Sequence, residues 1–226
     1  MNKDKFKLLV KNVFQSFVWL GLLLFGLDLM SKLLVVANRD YIIHLMVEND
    51  HGIILIPNFL AISYVENPAA AFGLGGSNPE INRWVYLAVA GIISIGIIIF
   101  FCKKYSKITK FVRACLMLIV AGAIGNMVDR IFYSFANFCV IDWINFFTIW
   151  RFNFNLADSC IVVGAIMLIV WLIVSEIKEE KAKKKLALES SENSSEIKSE
   201  KKDEKVLSKD EIEREKERNS SDSVSQ

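Results

Sequence analysis

Four long stretches of this sequence carry almost no charge: residues 12–37, 84–101, 114–128 and 156–174. A helix needs about 20 mostly apolar residues to cross the hydrocarbon core of a bilayer. In lipid every backbone N–H and C=O must find a partner inside the chain, and a helix provides one for each. The remaining charge gathers at the ends of these runs and in residues 176–226, which are crowded with Lys, Glu and Ser. Such segregation marks a membrane protein with a solvated tail; a soluble globule mixes its charges. The net charge of +2 arises at membrane edges and in a tail of mixed sign, so no nucleic-acid partner is expected.

The first run follows Lys3, Lys5, Lys7 and Lys11 and ends at Ala37. A basic start, an apolar run and Val35-Val36-Ala37 together look like a cleavable secretory signal. The run is too long for that and holds two charges before the supposed cut, so a retained helix is expected. Those charges, Asp28 and Lys32, lie four apart, share a face and can pair, either as a structural ion pair or beside a substrate. Residues 41–47 and 52–65 are β-branched and aromatic, broken by Asn49-Asp50-His51-Gly52 and Pro57, which predicts short strands joined by a turn. The second run ends at Lys103, Lys104, Lys107, Lys110 and Arg113. The third closes on Asp129-Arg130, with Asn126 on the same face. Trp143, Trp150 and Trp171 fit interfacial positions.

Lys and Arg favour cytoplasmic loops, which places both termini and the 102–113 loop inside and the 38–82 and 131–155 segments outside. Asp28, Asp129, Asp142 and Asp158 then fall at mid-depth or toward the outer face. Intramembrane acids are expensive, about 2.5–3.5 kcal/mol near the bilayer centre, and mark function more often than not. The tail lacks apolar surface for a core and is expected to be largely disordered. Cys102, Cys115, Cys139 and Cys160 show no metal or disulfide spacing and read as buried free thiols.

Ser31 and Ser159 have no plausible His partner, which leaves paired aspartates as the available chemistry. Two carboxyls a few ångströms apart share a proton, one ionised to activate water and one protonated to donate to a carbonyl oxygen. The pair titrates as a unit. Spacing alone leaves two readings of Asp142 and Asp158: such a dyad, or an N-terminal helix cap at Asp158 beside an idle interfacial Asp142. A carrier or proton relay and a purely structural four-helix subunit are the competing functions.

Five blocks follow in order: Leu27-Asp28 with Lys32; Asn67-Pro68-Ala69-Ala70-Ala71-Phe72-Gly73; Gly122-Ala123-Ile124-Gly125-Asn126 with Asp129-Arg130; Val140-Ile141-Asp142-Trp143-Ile144; and Phe154-Asn155-Leu156-Ala157-Asp158-Ser159. Together they resemble the lipoprotein signal peptidases (signal peptidase II), bacterial membrane aspartyl peptidases. The resemblance implies that Asp142 and Asp158 are the catalytic pair. It implies that Asn67, Asn126, Arg130 and Asn155 line the substrate site and that Asp28, Lys32 and Asp129 support it. It also implies an outer β-cradle over about residues 38–82 and cleavage just before a diacylglyceryl-modified cysteine. The sequence departs from the family pattern at Leu29, usually Gln, and at Ala69 and Ala121, usually Gly; the aromatic connector before Asp142 lacks the usual glycine.

The expected fold is an all-α membrane protein of four transmembrane helices with a small extracytoplasmic β-rich segment and cytoplasmic termini. Residues 1–175 form the peptidase domain and residues 176–226 the tail. No metal or cofactor is expected. The expected partners are diacylglyceryl-prolipoprotein substrates and membrane lipids, with the chain acting as a monomer in the bacterial cytoplasmic membrane.

Overall fold

The computed structural model describes residues 12–69 and 78–187. The lysines of residues 3–11, the small residues 70–74 and the tail beyond residue 187 lie outside the described residues. The chain divides into two units, Met1–Trp171 and Leu172–Gln226. Within the second, residues 172–187 are helical, and Lys183 pairs with Glu179 at 2.8 Å on the exposed surface.

Helix α1 (Val18–Ala37) is followed by α2 (Arg39–Asn49), β1 (Ile53–Ile56), β2 (Leu60–Asn67), α3 (Pro79–Lys104), α4 (Lys110–Phe132) and a 3-10 turn, Ser134–Ala136. Strand β3 (Val140–Asn145) comes next, then α5 (Leu156–Ala187). Helices α1, α3, α4 and α5 are each long and apolar enough to cross a membrane. Their ends follow from local chemistry. The Asn78 side chain accepts from Glu80 N and Ile81 N ahead of Pro79, which opens α3, and Lys103 and Lys104 sit in its last turn. The Thr109 hydroxyl accepts from Val112 N at the head of α4. Phe17, at φ 60°, interrupts the first apolar run, so α1 begins at Val18 and residues 12–16 form a separate helical turn.

The strand expected over residues 41–47 is instead part of α2. Its inward face explains why: buried Ile42 and partly buried Met46 lie one helical turn apart and pack with Val35, Tyr64 and Ile141, while Ile43 and Val47 are exposed. That is a period of 3.6, and it overrides the strand preference of β-branched side chains. Asp40 in the first turn complements the helix dipole. The strands expected within residues 52–65 do form, as β1 and β2.

These strands belong to an antiparallel sheet of order β1-β2-β3. The third strand comes from the connector between α4 and α5. Val65 of β2 faces Asp142, Glu66 faces Ile141 and Asn67 faces Val140. Ile141 is fully buried in the core beneath the sheet, and Trp143, two residues on, packs against that same core. Asp142 between them points to the opposite face. An isolated bridge, Ile144 with Phe154, folds the segment before α5 back along β3. Ile144 N donates to Phe154 O at 2.7 Å, and Phe154 N returns a bond to Ile144 O at 3.1 Å.

Helix α4 is the most enclosed of the four, packing against α1 and α3. Two of its glycines allow the approach of its neighbours. A Cβ on Gly125 would lie 2.6 Å from Asp28 Oδ2, and one on Gly122 would lie 2.2 Å from the backbone oxygen of Ala157. Replacing glycine by alanine inside a helix ordinarily stabilises by about 0.5–1 kcal/mol. Here the sign reverses. Gly125→Ala is expected to cost about 1–3 kcal/mol by overpacking, and Gly122→Ala, which meets rigid backbone, more than Gly125→Ala. Thermal unfolding of the detergent-solubilised variants checks the order.

Candidate active site

Asp142 leaves β3 on the face turned toward the head of α5, and Asp158 stands one turn into α5. The Ile144–Phe154 bridge sets Asn155 beside β3, and Asn155 links the two acids. Its amide Nδ2 donates to Asp142 Oδ1 at 2.7 Å and lies 3.1 Å from Asn126 Oδ1. Asn126, from α4, donates its own Nδ2 to Asp158 Oδ1 at 2.7 Å. Asn67, at the end of β2, donates to Asp142 Oδ2 at 2.8 Å. Every carboxylate oxygen of the pair therefore accepts a hydrogen bond from an amide, because Asp158 Oδ2 also accepts from Asn155 N at 3.2 Å. Each oxygen retains lone-pair capacity for another donor.

Asp158 takes part in a helix cap, and Asn155 joins that cap to Asp142. Asp158 N donates to Asn155 Oδ1 at 2.9 Å, so Asn155 is the N-cap and Asp158 is the reciprocating residue three positions in. The cap expected at Asp158 sits at Asn155, and Asp158 completes a capping box while facing Asn126. Asp142 is buried, out of water, and bonded on both oxygens.

Beneath the pair lies a charge cluster. Lys32 Nζ is 2.8 Å from Asp28 Oδ2, 2.8 Å from Asp129 Oδ2 and 3.1 Å from Asn126 Oδ1, which uses all three of its donors. The Lys32 and Asp129 side chains are 0% exposed. Each flanking acid also reaches a backbone amide next to one of the pair. Asp28 Oδ1 accepts from Ala157 N at 2.9 Å, and Asp129 Oδ2 accepts from Ile141 N at 3.2 Å. Thus α1 holds the residue before Asp158, α4 holds the residue before Asp142, and one ammonium joins them.

Arg130 Nη2 donates to Ala69 O at 2.8 Å and Nη1 to Asn126 O at 3.2 Å, with Tyr86 5.2 Å from ring centroid to guanidinium. This fixes the backbone just beyond Asn67. All nine residues singled out in the sequence are brought into this one network. Sequence reading missed β3 as a strand, although the alternation Val140-Ile141-Asp142-Trp143-Ile144 carries a period-2 signal. It also missed the backbone amides of Ala157 and Ile141, which no side-chain pattern reveals.

The Asp142 carboxyl is pushed up to about 7. Burial is the main cause and the nearby Asp158 charge the second, partly offset by the Asn67 and Asn155 amides and the Lys32 charge. A raised carboxyl beside a second carboxylate can hold a proton near neutral pH and deliver it, while its neighbour accepts one from water.

A family model described as signal peptidase (SPase) II matches residues 20–174. A lipoprotein signal peptidase of Fusobacterium nucleatum is 34% identical over 155 residues, covering 68% of this chain and 84% of that protein. One from Clostridioides difficile is 32% identical over 162 residues, covering 72% and 97%. A solved bacterial membrane enzyme is 27% identical over 67% of this chain and 90% of its own, with a TM-score of 0.46.

Proposed function

The chain belongs to the signal peptidase II family, and from that premise we propose that it is an aspartic endopeptidase removing signal peptides from diacylglyceryl-modified prolipoproteins. The observation that supports this most is the convergence of Asp142 and Asp158 on the paired amides of Asn155 and Asn126. In this reading one carboxylate takes a proton from water as the water oxygen attacks the scissile carbonyl, and the other carboxyl gives its proton to the carbonyl oxygen. In the second step the newly protonated acid passes its proton to the leaving amine. The C–N bond breaks, and the other carboxylate recovers a proton from the tetrahedral hydroxyl. The dyad ends as it began, with one shared proton.

Asn67, Asn126 and Asn155 orient the carboxylates and, with Arg130, line the path of the substrate backbone. Asp28, Lys32 and Asp129 support them. The excess of Lys and Arg in the 102–113 loop and near the ends supports cytoplasmic termini and a site facing outward from the bacterial cytoplasmic membrane. There a lipid-anchored substrate arrives by diffusion in the plane, its acyl chains remaining among lipids. A proton relay would string acids across the bilayer, whereas Asp28, Asp129, Asp142 and Asp158 belong to one network.

The test is incubation of the purified full-length chain with a lipobox peptide carrying diacylglycerol on its cysteine, beside the unlipidated peptide. Cleavage just before the lipidated cysteine is expected. An intact lipidated peptide defeats the proposal.

The pH profile follows from Asp142. The rate is expected to fall as pH rises through about 7, where the dyad loses its remaining proton. The Asn67 amide favours the ionised form, so its removal in Asn67→Ala raises the Asp142 pKa and moves the alkaline limb upward. A hydrogen bond to a charged group contributes about 1.5–3 kcal/mol, enough to move the limb by about one to two pH units. The folded chain also keeps a proton on Asp142 that the unfolded chain releases near 3.8, so this group makes the fold less stable as pH rises toward 7.

A further inference from the structure

We infer that Arg83, which lies outside all the motifs above, is a positioning residue for this reaction, holding the turn that delivers Asp142 and the backbone of Arg130. The inference rests on the peptidase reading and adds to it a component from α3, the one long helix that supplies none of the nine residues singled out in the sequence.

Arg83 sits in the second turn of α3, half-buried. Its Nε donates to the backbone oxygen of Arg130 at 2.7 Å. Arg130 is in the last turn of α4, where carbonyls lack the intrahelical donor that residues further along would provide. Arg83 thus caps one helix from another. Its guanidinium also lies 3.5 Å over the ring of Phe138 and 5.0 Å over that of Trp84.

Phe138 is the second of two consecutive left-handed residues, Asn137 at φ 51° and Phe138 at φ 59°. Neither is glycine. A bulky residue there is unfavourable by about 1–2 kcal/mol and persists only where its surroundings enforce it. Two enforcing contacts are visible: Phe138 N donates to Tyr133 O at 2.9 Å, and Arg83 covers the ring. Cys139 N then bonds Ala136 O at 2.9 Å, and β3 starts at Val140, two residues before Asp142. One side chain therefore touches both routes into the site. Through Phe138 it sets where β3 begins. Through the Arg130 carbonyl it sets the helix end whose guanidinium holds Ala69 beside Asn67. Lysine cannot replace it, because the contact needs a planar face on the ring and a directed N–H at the same time.

The experiment uses the full-length enzyme and the lipidated lipobox peptide, with Arg83→Ala, Arg83→Lys and Phe138→Leu compared with wild type. A displacement of order 1 Å at a reacting group costs about 10²-fold. Arg83→Ala is expected to lower kcat by about 10- to 100-fold while KM moves by less than about threefold. Arg83→Lys is expected not to rescue it. Phe138→Leu should lower kcat in the same direction, and adding it to Arg83→Ala should cost little more, since both cut one connection. A kcat for Arg83→Ala within about twofold of wild type overturns the inference. So does full rescue by lysine, a loss confined to KM, or a loss that disappears when rates are expressed per folded molecule. Should Arg83→Ala fail to fold, Phe138→Leu decides alone, and wild-type kcat in that variant rejects the assignment. Asp142→Asn in parallel separates the two levels. If wild type is inactive or Asp142→Asn is active, the peptidase reading fails; if both controls behave and Arg83→Ala is unimpaired, only the role of Arg83 fails.

Discussion

Asp142→Asn and Asp158→Asn are each expected to abolish cleavage of the lipidated peptide while the protein still folds. Loss of one proton-transfer group ordinarily costs about 10²- to 10⁴-fold, and a dyad that shares one proton cannot run its second half with one member missing. The double variant should therefore be no worse than either single one. Asparagine is not innocuous to the fold here. Both oxygens of Asp142 accept from amides, Asn155 Nδ2 and Asn67 Nδ2, so an NH₂ placed at that carboxyl must face another donor. Asp158 is in the same position between Asn126 Nδ2 and Asn155 N. A modest destabilisation, about 1–3 kcal/mol, is expected for each. Thermal unfolding beside the cleavage assay separates the two effects. Either variant retaining more than about a tenth of wild-type kcat would falsify the dyad.

Lys32→Met is expected to have the largest effect on stability of any single change. Methionine matches the length of the lysine stem but removes the ammonium that neutralises Asp28 and Asp129, both within 2.8 Å. Removing one partner of a buried ion pair leaves an uncompensated charge and costs about 3–5 kcal/mol. Here two carboxylates are left, next to each other and enclosed. The damage also spreads, because these acids hold Ala157 N and Ile141 N, the amides preceding the two reactive residues. Lys32→Met is expected to lower the midpoint of thermal unfolding sharply and to reduce activity in the fraction that stays folded. Adding Asp28→Asn and Asp129→Asn to Lys32→Met removes the stranded charges and should recover much of the stability, though not the activity. An unchanged unfolding midpoint in the single variant contradicts this account.

Much of the architecture was legible because lipid leaves a chain few options. Long uncharged runs had to become helices, and the structure differs from the expected spans mainly at their ends, as at Phe17, where a left-handed residue splits the first run. The acids were conspicuous for the same reason, being costly where they stand. What stayed hidden depended on packing between distant elements. Residues 41–47 have strand composition, yet the partners waiting above Ile42 and Met46 made a helix the better way to bury them. The connector carrying Asp142 joined the sheet only because β2 offered it an edge, and its alternation was short enough to be lost among aromatics. The side-chain amides of Asn126 and Asn155 also grip the carboxylates, a task the sequence did not indicate. Residue type alone does not distinguish those tasks, since an amide serves either.

The bridge between Ile144 and Phe154 has a bearing on how the enzyme tolerates a soft, fluctuating surrounding. Because it ties β3, which carries Asp142, to the residues leading into α5, which carries Asp158, a tilt of α5 is expected to carry β3 with it. The two acids are then expected to move together, as an insert carried by the helices. Changes in bilayer thickness would shift the height of that insert and leave its internal spacing alone. Lengthening the loop between Asn145 and Asn153 should be harmless so long as the two bridging strands of backbone still find one another.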